Sequence, residues 1–126
     1  MERTNLIKIL NGDIDLIDHV NVRDVALFGV HVTIYPRDVR KMLLHFLNGQ
    51  ITSVDLNKWA QFITLRAEYC CPHWEIDKIA DYYEDMMYVI QCLSTPEIDG
   101  EINESQVKQY LSELEKYNHE MKPFLS

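Results

Sequence analysis

The chain has 126 residues, 47% of them hydrophobic and 10% aromatic, which suits one globular domain with its own core and is too apolar for a disordered acidic tail. Its formal net charge of −8 disfavours nucleic acid and anionic membranes as direct partners, since both are negatively charged. No stretch approaches the roughly 20 apolar residues that cross a bilayer, we find no secretory signal, and the three cysteines are an odd number. We therefore expect a cytoplasmic protein that binds another protein.

The residues up to 35 are predicted to be rich in β-structure. Two apolar runs, residues 6–10 and 14–17, flank Asn11-Gly12, which is a strong hairpin signal. A longer run over residues 25–35 alternates between apolar and small or polar side chains, as a strand does. The alternative is a short helix over residues 5–10 that ends at Gly12. We favour a small N-terminal antiparallel sheet.

After Pro36 the apolar residues recur with helical spacing. The pattern predicts a helix that stops at Gly49, a second helix capped by Ser53 or Asp55 and ended before Pro72, a third over residues 75–93, and a last one that starts near Asn103. The predicted inward-facing residues are Val39, Leu43, Phe46, Leu47, Leu56, Trp59, Ala60, Ile63, Ala67, Cys70, Ile76, Ile79, Ala80, Tyr83, Met87, Ile90, Val107, Tyr110, Leu111, Leu114 and Tyr117. The fold class is thus α+β and mainly α: one domain of residues 1–126, in which residues 36–126 form a four-helix bundle-like core that carries the sheet of residues 1–35.

Three glycines share the local pattern Asn/Asp-Gly-x-Ile: Gly12, Gly49 and Gly100. We interpret them as helix ends or tight turns, where glycine supplies a positive φ, in preference to a structural repeat. The same spacing imitates a calcium loop, but around Gly100 the twelfth loop position is Gln106, where an EF-hand needs a bidentate Glu. We therefore predict no calcium site.

The negative charge is concentrated in one segment. Nine of the 20 acidic residues lie between Glu75 and Glu104, where Lys78 is the only Lys or Arg. The flanks balance, with eight acids and eight bases in residues 1–74 and three of each in residues 105–126. Because clustered charge attracts and steers partners of opposite sign, this segment is the predicted contact with a basic partner.

Four of these acids would share one face of the predicted third helix. Asp77, Asp81, Glu84 and Asp85 are spaced by three and four residues, with Tyr88 one turn further along. Like charges at this spacing destabilise an isolated helix, so a binding surface is favoured over a merely solvated face.

Aromatic residues and the segment after the helix extend this surface. Aromatic rings beside charges are common interface anchors, although some of these rings could instead belong to the core. Carboxylates in the exit loop of residues 95–101 oppose the helix dipole, which suggests a use other than stability, although Asp99 could simply be a turn residue. The predicted partner-binding residues are Trp74, Asp77, Asp81, Tyr82, Glu84, Asp85, Tyr88, Glu97 and Asp99.

No catalytic or metal site is predicted. A row of acids on an exposed face lacks the contrast between one protonated and one ionised carboxyl group that acid–base catalysis requires. The sequence Cys70-Cys71-Pro72-His73 has no second half for a zinc site, and Cys71 with His73 is too little to indicate a nucleophile. A Gly-rich phosphate loop is also missing. We expect no enzyme activity, no metal and no cofactor.

Two stretches carry a family resemblance. Residues 44–59, from Leu44-His45-Phe46-Leu47-Asn48-Gly49 to Lys58-Trp59, resemble the opening helices of small bacterial immunity proteins. Residues 93–102, with Pro96-Glu97-Ile98-Asp99-Gly100 at their centre, resemble a loop of colicin-D-like self-protective and contact-dependent growth inhibition immunity proteins. The likeness covers roughly residues 37–117. It implies a helical, acidic, non-enzymatic protein that binds a cognate toxin domain, often a nuclease, inside the producing cell.

The resemblance and the charge pattern lead to one main hypothesis. Nucleases need basic clefts to hold phosphate backbones, and an acidic helix face can occupy such a cleft in place of the phosphates. We therefore expect an immunity protein that neutralises a basic toxin domain, expected to be a nuclease. The alternative is an acidic regulatory adaptor that uses the same face on another basic protein, and an enzyme is the third possibility.

Overall fold

The computed structural model describes residues 3–19 and 31–119. Within them the protein is mainly helical and has a small sheet of two parallel strands. No helix in the described part combines the length and the apolar character that crossing a lipid bilayer requires.

The N-terminal segment is helical, so the predicted hairpin is wrong and the alternative helix is confirmed. Helix α1 spans Arg3–Leu10 and a 3₁₀ helix spans Ile14–His19. Leu6, Ile9 and Leu10 are buried with helical spacing. Gly12 has φ +110°, and its amide and the next one close the helix on the carbonyls of Ile9 and Lys8, each at 3.0 Å. The Asn-Gly pair therefore ends a helix and does not form a hairpin turn.

The sheet is parallel, so the predicted antiparallel pairing is also wrong. Strand β1 (Val32–Thr33) pairs with β2 (Tyr69–Cys70), with Val32 opposite Tyr69 and Thr33 opposite Cys70. A parallel partner requires a long crossover, here two helices, and a local sequence pattern cannot reveal which distant segment supplies it. Most of the strand predicted over residues 25–35 lies outside the described residues.

Helices α2 (Pro36–Leu47) and α3 (Ser53–Leu65) lie where the sequence predicts the first two long helices. Thr52 caps α3, since its hydroxyl accepts from the amide of Asp55 at 3.1 Å and the Asp55 carboxylate accepts from the Thr52 amide at 3.0 Å. Helix α3 is shorter than predicted because the backbone becomes extended at Arg66. Ala67 is consequently exposed, and Cys70 belongs to β2.

The predicted third helix is divided. Helix α4 spans Asp77–Tyr82 and α5 spans Glu84–Ser94, with Tyr83 between them. The interruption changes the buried face: Met86 is fully buried, whereas Met87, which was predicted to point inward, is only partly buried, and Ile76 is exposed. The predicted exit loop contains a short helix, α6 (Pro96–Asp99). Helix α7 (Glu104–Leu114) follows and starts near Asn103 as predicted, with the Asn103 side chain as its cap. A 3₁₀ helix completes the described chain (Glu115–His119).

The core lies mainly between α3 and α5, which make the most extensive contact, and α7 packs on α2 and α5. Trp59 of α3 is fully buried, and its indole N–H donates to the carbonyl of Leu10 at 3.3 Å. The buried hydroxyl of Tyr69 donates to the carbonyl of Leu6 at 2.6 Å. These two bonds fix α1 against α3 and β2, so the N-terminal helix is part of the core.

Candidate functional site

One hydroxyl group interrupts the helical hydrogen bonds between α4 and α5. In a continuous helix the Met86 amide would donate to the Tyr82 carbonyl, four residues earlier. Instead the amide donates to the hydroxyl of Tyr117 at 3.2 Å, and that hydroxyl donates to the Tyr82 carbonyl at 2.8 Å. A side chain inserted into the hydrogen-bond ladder is a recognised cause of helix interruption. Tyr117 therefore determines how the two acidic helices meet.

Three aromatic rings pack around this point. Tyr83 is fully buried and its ring stacks on that of Tyr117, with the ring centroids 5.5 Å apart. The Tyr82 ring contacts both of the others edge-on, at 5.0 and 5.2 Å. Tyr82, which the sequence predicts as a binding anchor, is thus partly buried and supports the helix junction.

The predicted helix carboxylates lie on both sides of the junction. Asp81 belongs to α4, while Glu84 and Asp85 form the first turn of α5, and all three are exposed. Asp85 forms an ion pair with Lys116 at 2.5 Å. Asp81 and Glu84 form no ion pair with any residue that the structure describes. Asp77 is the first residue of α4, and its side chain lies outside the described part.

The carboxylates after α5 are also exposed. Glu97 and Asp99 lie on α6. The hydroxyl of Thr95 donates to the Asp99 carboxylate, so Asp99 also stabilises its own short helix, in line with the turn role considered for it. Glu97 forms no ion pair with any residue in the described part of the chain.

Two aromatic residues of the predicted site are accessible. Tyr88 of α5 is 55% exposed and Trp74, which precedes α4, is 50% exposed. The Trp74 ring lies 5.6 Å from that of His31. His73 has φ +50°, a left-handed conformation that is uncommon for a residue other than glycine. This backbone turn precedes Trp74 directly.

Electrostatics connect Tyr88 with the end of the acidic segment. A side-chain hydrogen bond with Cys92 raises the pKa of the Tyr88 phenol, and the carboxylates of Asp99 and Glu113 act in the same direction. Asp99 also raises the pKa of Cys92, behind the larger effect of burial. The fold thus places a carboxylate of α6 and one of α7 where they act on Tyr88 and Cys92 of α5. Glu113 was not predicted as part of the site, because it lies on α7 and no local spacing connects it to α5.

The thiols do not resemble a reactive or metal-binding centre. Burial raises the pKa of Cys70, Cys71 and Cys92, which keeps them protonated and poorly nucleophilic near neutral pH. Within residues 3–19 and 31–119 no group of three or more His, Cys, Asp or Glu side chains is arranged to hold a metal ion.

We call six exposed residues of α4, α5 and α6, five of them acidic, the acidic surface: Asp81, Glu84, Asp85, Tyr88, Glu97 and Asp99. The chain matches no protein-family model, no curated protein and no solved structure.

Proposed function

We propose that this protein is an immunity protein of the cytoplasm that binds and neutralises a cognate basic toxin domain, expected to be a nuclease, by occupying its basic surface and without catalysis. One observation carries the proposal. Asp81, Glu84 and Glu97 are exposed and form no ion pair with a described residue, so their charge is available to a partner.

The physical reason is charge complementarity. A nuclease holds a polyanion, so its cleft is lined with Lys and Arg side chains. A protein surface of opposite sign accelerates encounter with such a cleft and suppresses binding to acidic partners. The acids of the acidic surface take the place of phosphates in this proposal. The resemblance of residues 93–102 to an immunity-protein loop supports the same partner.

The aromatic residues divide into two roles. Tyr88 and Trp74 have accessible rings that can be buried against a partner, and aromatic side chains are frequent interface anchors. Tyr82 contributes indirectly, because its ring packs on Tyr83 and Tyr117 at the junction. Asp77 remains a proposed contact at the start of α4.

The helical part serves as a rigid support in this proposal. We describe it as bundle-like because α3 packs on α5 and α7 packs on both α2 and α5. A surface carried by packed helices loses little conformational freedom on binding, which favours affinity.

The direct test is co-expression with the protein encoded in the adjacent reading frame, where the proposal places the cognate toxin domain. We expect cells to survive only when this protein is present, and the two proteins to elute together in size-exclusion chromatography. Continued killing, or separate elution of two folded proteins, would refute the proposal. Capture of an unrelated basic protein in place of the toxin domain would favour the regulatory adaptor.

A sharper test uses charge reversal with a matched control. The double variant Asp81→Lys with Glu84→Lys changes two acids of the acidic surface. The control, Asp13→Lys with Asp15→Lys, changes net charge by the same amount at exposed N-terminal positions. In low salt we expect the first variant to slow association with the toxin domain about tenfold or more and the control to slow it much less. Equal rates for the two variants would place the contact elsewhere.

A further inference from the structure

A small groove opens between the first turn of α3 and the segment that joins α6 to α7. Its volume is about 180 Å³, and its lining residues are Ser53, Val54, Asn57, Pro96, Glu101 and Ile102. The amide of Asn57 donates to the Leu93 carbonyl at 2.8 Å, which fixes α3 to the end of α5 beside the groove. The groove is thus part of the packed framework.

Exposed aliphatic side chains lie in the wall of the groove and on the short helix α6 beside it. Val54, in the groove wall, is 71% exposed, and Ile98, on the same short helix as Pro96, is 79% exposed. Ile102 is buried and closes the groove from the core side. Exposed apolar groups beside a concavity indicate a place where another molecule's apolar group can be buried.

The segment around the groove is anionic. Residues 97–104 contain four carboxylates and no Lys or Arg: Glu97, Asp99, Glu101 and Glu104. Glu101 lines the groove itself. Glu104 forms an ion pair with Lys108 at 2.7 Å, whereas Glu97 and Glu101 pair with no described cation.

We propose that this groove receives an apolar side chain from a cationic segment of the partner protein. The apolar side chain packs between Val54 and Pro96, and a neighbouring Lys or Arg meets Glu101 and Glu97. Nucleic acid, an anionic membrane or a second copy of this acidic chain would be repelled by the same carboxylates. The inference rests on the proposed function for the identity of the partner, and it adds an apolar anchor beside the acidic surface.

A peptide experiment tests the groove without the toxin. The probe is the capped synthetic peptide Gly-Lys-Leu-Leu-Arg-Gly at millimolar concentration, with two controls in which the leucines become serines or the two cations become glutamates. We expect the probe to shift the NMR amide signals of Val54, Glu101 and Ile102 at least about fivefold more than either control. Equal shifts with all three peptides, or shifts confined to other residues, would overturn the proposal.

A pair of variants tests the groove in the complex with the toxin domain. Val54→Ser removes the apolar wall, and Leu65→Ser is the matched control, because Leu65 is 82% exposed at the other end of the same helix. Melting temperatures verify that both variants fold. We expect Val54→Ser to speed dissociation about tenfold, the effect of losing the burial of one aliphatic side chain, and Leu65→Ser to leave it unchanged.

The two proposals can fail separately. If the toxin domain binds the wild type and dissociates equally fast from both serine variants, the groove inference is wrong and the proposed function stands. If the cationic apolar peptide occupies the groove but the toxin domain does not bind, the groove serves another basic protein and the immunity function is wrong. If neither binds, both are wrong.

Discussion

Tyr117 has a structural role that its residue type alone does not suggest. Its hydroxyl is both acceptor and donor, so one group satisfies the amide of Met86 and the carbonyl of Tyr82. Buried backbone groups are costly to leave without partners, and a tyrosine is long enough to reach them from a distant part of the chain. The helix junction is therefore specified by a residue that lies 31 positions beyond Met86.

Replacing Tyr117 by Phe removes this hydroxyl and keeps the ring. We expect the free energy of unfolding to fall by about 1–3 kcal/mol, since a buried amide and a partly buried carbonyl lose their partner. Urea unfolding followed by circular dichroism measures the change. An unchanged stability would mean that α4 and α5 join directly, with Met86 donating to Tyr82.

The control for this variant is Tyr88→Phe. It removes the same atom from a ring that is largely exposed and whose hydroxyl bonds the Cys92 thiol, a weak partner, so we expect a change within about 0.5 kcal/mol. A loss as large as that of Tyr117→Phe would contradict the role assigned to the inserted hydroxyl.

At the site, helical spacing predicted the exposure of a side chain correctly where that exposure depends on residues nearby in sequence. It did not predict contacts with distant residues. Asp81 and Glu84 are exposed, as their place opposite the apolar stripe implies. The pairing of Asp85 with Lys116 could not be predicted, because the two residues are 31 positions apart and meet only in the folded protein. The support given by Tyr82 to the junction depends on Tyr117 in the same way.

Among the elements, α4 and α5 show why a regular pattern can mislead. Apolar residues at Ile79, Tyr83 and Ile90 fit one continuous helical stripe, and all three are buried. The pattern therefore gives the correct general location of the helices. It contains no signal for an inserted hydroxyl, so the break at Tyr83 and the burial of Met86 were not predictable.

The start of α3 allows a test of its capping residue. Thr52→Ala removes the acceptor for the Asp55 amide, and we expect a loss of about 1 kcal/mol in unfolding free energy. Ser53→Ala is the control at one of the two positions, Ser53 and Asp55, that were predicted as the cap, and its cost should stay within about 0.5 kcal/mol. Thermal or urea unfolding distinguishes the two, and a larger loss for Ser53→Ala would mean that the cap is misassigned.

Only one of the two strands of the short sheet was predicted from the sequence. A strand over residues 25–35 was predicted from alternation, and Val32–Thr33 forms a strand within that range. Its partner Tyr69–Cys70 follows α3, where helical periodicity was extended too far. Strand pairing over this distance depends on how α2 and α3 pack, which is decided by tertiary contacts and not by local propensity.

For the whole molecule, buried ionisable groups predict sensitivity to alkali. Burial raises the pKa of Tyr110 and Tyr117 to about 12 and also raises that of Tyr69 and Cys92. In the unfolded chain these groups ionise near pH 10 for Tyr and 8.5 for Cys. The unfolded state thus releases protons first, so stability is fully present below about pH 8.5 and declines up to about pH 12.

Urea unfolding between pH 8 and pH 12 checks this expectation. The midpoint should fall progressively above about pH 9, more steeply once Tyr ionisation in the unfolded chain begins near pH 10. The Tyr117→Phe variant should show a shallower decline, since it has one group fewer to ionise. A midpoint that stays constant up to pH 11.5 would contradict the assigned burial of these side chains.

In the folded molecule, part of the negative charge of residues 75–104 is neutralised by lysines outside that segment. Two acids of residues 75–104 form ion pairs with lysines outside that segment, Asp85 with Lys116 and Glu104 with Lys108. The field of the acidic segment is therefore weaker than the balance of nine acids and one base suggests. Exposed pairs of this kind are screened by salt, and so would be an attraction to the proposed basic partner.

The hydrogen bonds that the Tyr117 hydroxyl makes with Met86 and Tyr82 can form only late in the synthesis of this part of the chain. Helices α4 and α5 leave the ribosome well before Lys116 and Tyr117, which supply the ion pair to Asp85 and the hydroxyl at the junction. Until those residues emerge, the nascent chain lacks the contacts that set the junction between its two acidic helices. The junction between α4 and α5 is therefore completed by contacts that form after both helices have left the ribosome.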